Sequence, residues 1–448
     1  MKKESLIKNK DFGKELISLA LPITLQGIFY ASFNVIDQLM TGQLGSSSIA
    51  AIGIAGKFIS IFSVMINTFG AIAGIIISQA IGKKDKVEEG KGFYSNLFIS
   101  LIIAIIFISL SMIIPEGIMS LYSVDSQMIK IAASYLRIYS ISFIFIAITT
   151  MCSTYLRCVD HAKEPLYAGI ISMVTNTILN YILIFGFGPI KAMGVIGASI
   201  ASVLAQLISA LILLFYFLKY TAHREISISI YSKLSELKSF MIMLLPLFIS
   251  EFLWVLGENV YGSIYGHVGT KQCAAMTLMN PIVSLEMGAM TGISSATGII
   301  VGKYLGSNDR ARAYESSKKL LKTALIGAVI ISAIVALVST SYVKLFNVEA
   351  DVRAMSVYII LVFALVAPVK VLNMTLGSGV LRSGGKTAYI AVLDSIGTWC
   401  IGVPLGILSA FYLNLPIWWV YFLLSLEECF RLAAGLFIFK SRRWMGQL

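Results

Sequence analysis

Apolar residues in this chain neither alternate with a strand period nor stripe one face of short helices; they continue for lengths that suit a bilayer. Phe93 to Ile114 is one such run, and Ala324 to Val338 with its flanks is another. A hydrocarbon core about 30 Å thick takes roughly 20 residues of helix to cross. Glycine, proline and charge breaks divide the pattern into spans at 15–41, 49–79, 93–114, 130–156, 165–187 and 193–218. After the polar stretch KYTAHREISISIYSKLSELKS come 239–266, 272–301, 319–342, 354–380, 387–412 and 415–439. The expected fold is an all-α polytopic membrane protein of twelve transmembrane helices.

Composition agrees with that pattern. Of 448 residues, 57% are hydrophobic and 13% charged, with a mean hydropathy of +0.85; soluble domains run nearer half apolar and a quarter charged. The net charge of +12 would suggest nucleic acid in a soluble protein, but here the placement of each charge matters more. Lysine and arginine crowd the N-terminus, the tail and the loops after spans two, four, six, eight and ten. The opposite loops hold only Lys130, Lys191, Lys271, Lys344 and Arg353. By the positive-inside rule both termini are cytoplasmic, as an even number of spans requires. The basic N-terminus runs straight into the first span with no cleavable leader visible, so the expected location is a bacterial inner membrane. Cys152, Cys158, Cys273, Cys400 and Cys429 have neither metal-ligand spacing nor a disulfide pattern.

The chain also repeats itself. At one constant offset Leu21-Pro22 meets Leu245-Pro246, Gly45 meets Gly269, Gly74-Ile75-Ile76 meets Gly298-Ile299-Ile300, Gly82 meets Gly306, and Asp85 meets Asp309. One residue further out of register, Leu156-Arg157 meets Leu381-Arg382. Six spans per copy give both copies the same orientation, so two six-helix bundles related by a pseudo-two-fold axis along the membrane normal are expected. The predicted division is an N-terminal lobe at 1–218, a cytoplasmic linker at 219–238 and a C-terminal lobe at 239–448.

The segments LPITLQGIFYASFNVIDQLMTGQLG, TFGAIAGIIISQAIGKKD, YLRCVDHAKEP, NTILNYILIFGFG and GVIGASIAS, followed by TGISSATGIIVGKYLGSNDR and LRSGGKT, resemble the multidrug and toxic compound extrusion (MATE) family in order, spacing and duplication. The resemblance covers essentially the whole chain. It implies efflux of organic, cationic compounds by alternating access, driven by Na⁺ or H⁺ and needing no cofactor. A monomer is expected, since no oligomerisation motif stands out.

A charge at membrane depth is costly and so carries a functional hypothesis. Asp37 is the one carboxylate inside a span of the first half. The resemblance implies that it is the coupling acid, able to exchange a proton for a metal ion or a cationic drug. Tyr30 and Asn34, seven and three residues earlier, share roughly its helix face. Asn176 and Asn180 share a face of span five, where the family carries Asn followed by Asp or Asn. With Asn at 180 a second titrating group is missing, while an amide oxygen remains that could ligate Na⁺ beside Asp37 and Asn176. The plainer reading of the pair is inter-helical hydrogen bonding. Ser202 is a further pocket candidate in span six.

In the second half Glu251 and Glu258 share a face of span seven, but the commonest family acid there falls near Trp254. The acid of span ten falls on Val371, beside Lys370. Lys370 is expected to pair structurally with Glu251, Glu258 or Glu286. Lys57 and Asp394 are buried by position, and Glu427, Glu428 and Arg431 are expected to satisfy one another. No Walker motif, nucleophile elbow or His/Cys cluster is present, which argues against ATP-driven transport and hydrolysis. Two alternatives stay open: a flippase for a lipid-linked saccharide, and a non-transporting membrane sensor. The first would want more basic residues than Lys57, Arg137, Lys370 and Arg431 inside the spans; against the second stands the cluster of Asp37 with Asn176 and Asn180.

Overall fold

In the computed structural model, which describes residues 2–224, 226–346 and 348–446, helices follow the hydropathy pattern closely. They are α1 (Lys2–Gly42), α2 (Ser46–Lys83), α3 (Lys86–Ile113), α4 (Pro115–Ser120), α5 (Ser126–Tyr139), α6 (Ser142–Cys158), α7 (Lys163–Phe185) and α8 (Val195–Arg224). The second half adds α9 (Leu234–Val268), α10 (Thr270–Gly306), α11 (Arg310–Val343), α12 (Ala350–Met374), α13 (Ala388–Ser395), α14 (Val403–Ile407) and α15 (Ile417–Ser441). Among the described residues, nine helical spans are long and apolar enough to cross a membrane, and ten if α5 and α6 form one span. The other two long helices, α10 and α15, are diluted by Asn280 and Glu286 and by Glu427, Glu428 and Arg431.

Three predicted spans are not plain helices. Span four breaks between α5 and α6 with a 49° bend. The break falls at Ser140 and Ile141, where the Ser140 hydroxyl donates to the Arg137 carbonyl at 2.9 Å and so competes with the backbone ladder. Spans ten and eleven contain π-helical segments, Thr375–Leu381 after α12 and Ile396–Gly402 after α13, with a third at Leu408–Tyr412. A π turn leaves carbonyls without their usual partners, and side chains from other helices supply them. Ser294 of α10 donates to the Met374 carbonyl at 2.9 Å. Arg431 of α15 reaches the Asp394 carbonyl at 3.4 Å and the Thr398 hydroxyl at 2.5 Å.

The chain forms two compact units, Leu25–Lys233 and Met1–Thr24 with Leu234–Leu448. Helices in lipid gain little from burying apolar surface against each other, so close approach at small residues holds them together. In the first unit Gly70 and Gly74 of α2 face Thr150 and Thr154 of α6, and Gly197 of α8 lies on the Leu183 carbonyl of α7. Stacked rings fill the remainder: Phe62 with Phe143 at 4.2 Å and Phe93 with Phe217 at 4.1 Å. In the second unit Gly298 of α10 meets the Gly379 carbonyl of the first π segment.

The repeated Asp positions are helix caps. Asp85 accepts from the amides of Val87 and Glu88, each at 3.0 Å, at the start of α3, and Asp309 accepts from Arg312 at 2.9 Å at the start of α11. The residue before each is left-handed, Lys84 at φ 62° and Asn308 at φ 60°. Both turns therefore end one helix and open the next. Between α8 and α9, residues 226–233 lie along the start of α3: Tyr231 donates its amide to Ser95 Oγ at 2.9 Å and its hydroxyl to Glu88 at 2.8 Å. The non-helical connection is thus shorter than the predicted 219–238.

Candidate functional site

The first unit brings four of the sequence candidates together on three helices. Asn180 of α7, fully buried, donates its amide to Asp37 Oδ1 of α1 at 2.5 Å. The same amide donates to Asn176 Oδ1 at 3.1 Å, and Asn176 donates to Ser202 Oγ of α8 at 3.4 Å. Helix spacing explains the order, since Asn176 and Asn180 are one turn apart and stack along one face. Asp37 itself is half-buried, and its backbone carbonyl accepts the Thr41 hydroxyl at 2.9 Å.

The inter-helical hydrogen bonding expected of the Asn pair is present. The amide nitrogens form an inter-helical chain, yet Asn180 Oδ1 is buried with no hydrogen-bond partner. A buried acceptor without a partner beside a carboxylate is a donor set that suits a hard cation such as Na⁺. Asp37, Asn180 and Asn176 are the residues that would hold it, with oxygen ligands only.

Two tyrosines that sequence reasoning missed complete the cluster. Tyr135 and Tyr139 of α5 stack with centroids 5.5 Å apart. Tyr135 lies beside Ser202, and Tyr139 lies within electrostatic reach of Tyr30 and Asp37. Their spacing of four, one helical turn, was the available signal. Tyr30 is 61% exposed, and the side chain of Asn34 lies outside the described residues.

The second-half candidates do not form a comparable site. Glu251 of α9 accepts from Arg382 at 3.1 Å, and Glu258 is exposed. The repeat-related Arg157 does the same work in the first unit, donating to Gln26 Oε1 of α1 at 2.7 Å. Glu251 therefore reads as the partner of an arginine that ties a loop to the first helix of its unit. Lys370 corrects an expectation: among the described residues it makes no ion pair, and it lies 6.0 Å from the Tyr421 ring centroid. Of its three expected partners, Glu251 is taken by Arg382 and Glu286 by the Ser332 hydroxyl, while Glu258 acts on it at longer range, within electrostatic reach but without a close ion pair. Lys57, expected to be buried, is exposed on α2.

The α15 group behaves as expected and recruits more. Arg431 pairs with Glu427 at 3.4 Å and Glu428 at 3.9 Å. Tyr261 donates to Glu427 at 2.7 Å, Asn373 to Glu428 at 2.8 Å, and Ser250 to Asp394 at 2.9 Å. Gly397 and Gly402 leave the room that Arg431 and Glu427 occupy. The network fastens the second π segment to α15 and α9.

The MatE family profile matches residues 22–182 and 246–408, one match in each repeat, beginning at the equivalent Pro22 and Pro246. An uncharacterised transporter, YisQ, of Bacillus subtilis is 24% identical over 100% of this chain and 97% of its own length. A probable multidrug resistance protein NorM of Thermotoga maritima is 21% identical over 97% of this chain and 93% of its own. Among solved structures, an outward-facing multidrug resistance MATE family transporter of the MOP superfamily superposes with a TM-score of 0.87 at 17% identity, covering 96% of each chain. The all-α fold of twelve helices in two bundles is the one these structures share.

Proposed function

The chain belongs to the MatE family of multidrug and toxic compound extrusion (MATE) transporters, and on that premise we propose that it is a cation-coupled multidrug antiporter. In this reading it exports organic cations from a bacterial cell by alternating access, as a monomer in the inner membrane with both termini cytoplasmic. The lobes are 1–218 and 239–448, joined by 219–238. Asp37 takes Na⁺ or H⁺ from outside, with Asn180 and Asn176 as its neighbours and with Ser202, Tyr30 and Asn34 as further candidate pocket residues. A ligand drives such a cycle only through unequal affinity for its two states. Cation binding at Asp37 therefore has to compete with drug or favour the conformation in which drug is loaded. Glu251 takes no direct part, because it is engaged by Arg382, whereas exposed Glu258, in electrostatic reach of Lys370, stays a second-half candidate.

The observation that carries this reading is the hydrogen bond from a fully buried Asn180 to Asp37 at membrane depth, with an unpartnered amide oxygen beside it. A carboxylate in that position is expensive unless a cation or proton visits it. The test is efflux of a fluorescent organic cation from proteoliposomes under separately imposed Na⁺ and H⁺ gradients. Gradient-driven efflux that is lost in Asp37→Asn supports the antiporter, and the productive gradient identifies the ion. Wild-type protein that exports nothing under either gradient overturns it.

A further inference from the structure

Glu286 stands apart from every other membrane-depth acid in the second unit. It lies sixteen residues into α10, near mid-span, and is 1% exposed. Its Oε1 accepts the Ser332 hydroxyl of α11 at 3.0 Å, and its Oε2 is buried without any partner. Apolar residues flank it at helical spacing: Ile282, Val283 and Met290 on α10, with Val335 one turn from Ser332. Gly327 of α11 draws that helix onto Met290, which closes the pair off.

Among the described residues, no cation is positioned to neutralise it. On α11 the charged residues from Arg310 to Lys322 crowd the cytoplasmic end, and Lys322 is ten residues, about 15 Å of helix rise, from Ser332. On α12, Asp351 and Arg353 lie in the first turn, with Arg353 donating to the Phe346 carbonyl, and Lys370 lies over Tyr421. On α9, Glu251 is held by Arg382, Glu258 is exposed, and Glu236, Lys238 and His267 lie toward its two ends. The π segment Thr375–Leu381 carries no charge. The start of α1, which touches α10 through Thr24 and Ala289, brings Lys14 and Glu15 no closer than nine residues from that contact. On α10 itself Lys271 is paired with Glu349, and Lys303 is seventeen residues away.

An ionised carboxylate buried with a single neutral donor is far more costly than the neutral acid in the same place. We propose that Glu286, clamped by Ser332, is a proton-holding site of the second unit, independent of the Asp37 cluster and of which ion drives transport. The neutral acid keeps the Ser332 bond on its carbonyl oxygen and leaves one neutral O–H without an acceptor, which costs far less than an unpaired buried charge. A conformational change that parts α10 from α11 would admit water and release the proton, giving this unit its own proton-linked step.

Infrared difference spectroscopy of the purified full-length transporter in lipid at neutral pH reads this directly. The expected result is a protonated-carboxyl C=O band in the wild type that is lost in Glu286→Gln. In Ser332→Ala the band should persist but move to higher frequency, because the carbonyl has lost its donor. Identical carbonyl regions in wild type and Glu286→Gln overturn the proposal. Should Glu286→Gln fail to fold, an unshifted carbonyl region in Ser332→Ala overturns it equally. Neither readout depends on transport, so the result stands apart from the efflux assay on Asp37.

Discussion

At the scale of single residues, the chain Asp37–Asn180–Asn176–Ser202 is graded, and its energetics should be graded too. Asn180 makes the short link to a carboxylate, and a hydrogen bond to a charged group contributes about 1.5–3 kcal/mol. Asn180→Leu keeps the volume but removes both the donor and the free Oδ1. Cation-driven efflux should therefore fall about tenfold or more, while the protein still folds. Ser202 receives the longest bond, 3.4 Å from Asn176, so Ser202→Ala should cost about twofold. Initial efflux rates in proteoliposomes measure both, and equal losses would break the assignment of Asn180 as the principal neighbour of Asp37. Asp37 and the two asparagines were legible in the sequence because polar groups inside long apolar runs are conspicuous. Tyr135 and Tyr139 were not, since tyrosine in a span is equally at home against lipid. Partners across helices were the least legible: nothing local to Lys370 indicates that Glu251 is already held by Arg382, or that Glu286 is taken by Ser332.

Elements in this protein are set against each other by small residues, and the clearest case supports the candidate site. Helices α7 and α8 carry Asn176, Asn180 and Ser202, and Gly197 lets the α8 backbone rest on the Leu183 carbonyl. The obstacle to a side chain there is backbone rather than a movable side chain, so a methyl group must push the helices apart. Gly197→Ala should destabilise by about 1–3 kcal/mol, the usual cost of overpacking. Gly53→Ala on α2, where nothing lies within 4 Å, should be neutral or slightly stabilising, as alanine favours a helix. Melting temperatures in one detergent compare the two. Hydropathy located all of these helices, because length and apolarity are local properties. It could not show the bend at Ser140 or the π segments, for which the signal is long-range. The carbonyls that a π turn frees are tolerable only because Ser294 and Arg431, both distant in sequence, arrive to bond them.

At the scale of the whole molecule the open quantity is topology, and one broken span decides it. The loop containing Val124, which is fully exposed, and the loop containing Ser307 are separated by five crossings: α5 with α6, then α7, α8, α9 and α10. An odd number places the two loops on opposite faces, and the distribution of lysine and arginine puts Val124 outside. In a cysteine-free background, Val124→Cys should react with a membrane-impermeant maleimide in intact cells, whereas Ser307→Cys should react only after permeabilisation. The reverse pattern would overturn the orientation drawn from charge. Labelling of both in intact cells would mean an even number of crossings, and the first suspect is the α5–α6 pair, whose 49° bend is what a re-entrant loop would also show. Arg137, at the end of α5, argues for a full crossing. A re-entrant tip at Ser140 would hold that guanidinium near mid-membrane without lipid headgroups in reach, at a cost of several kcal/mol. A bent helix that continues into α6 leaves it a half-span in which to direct its charge toward water or protein.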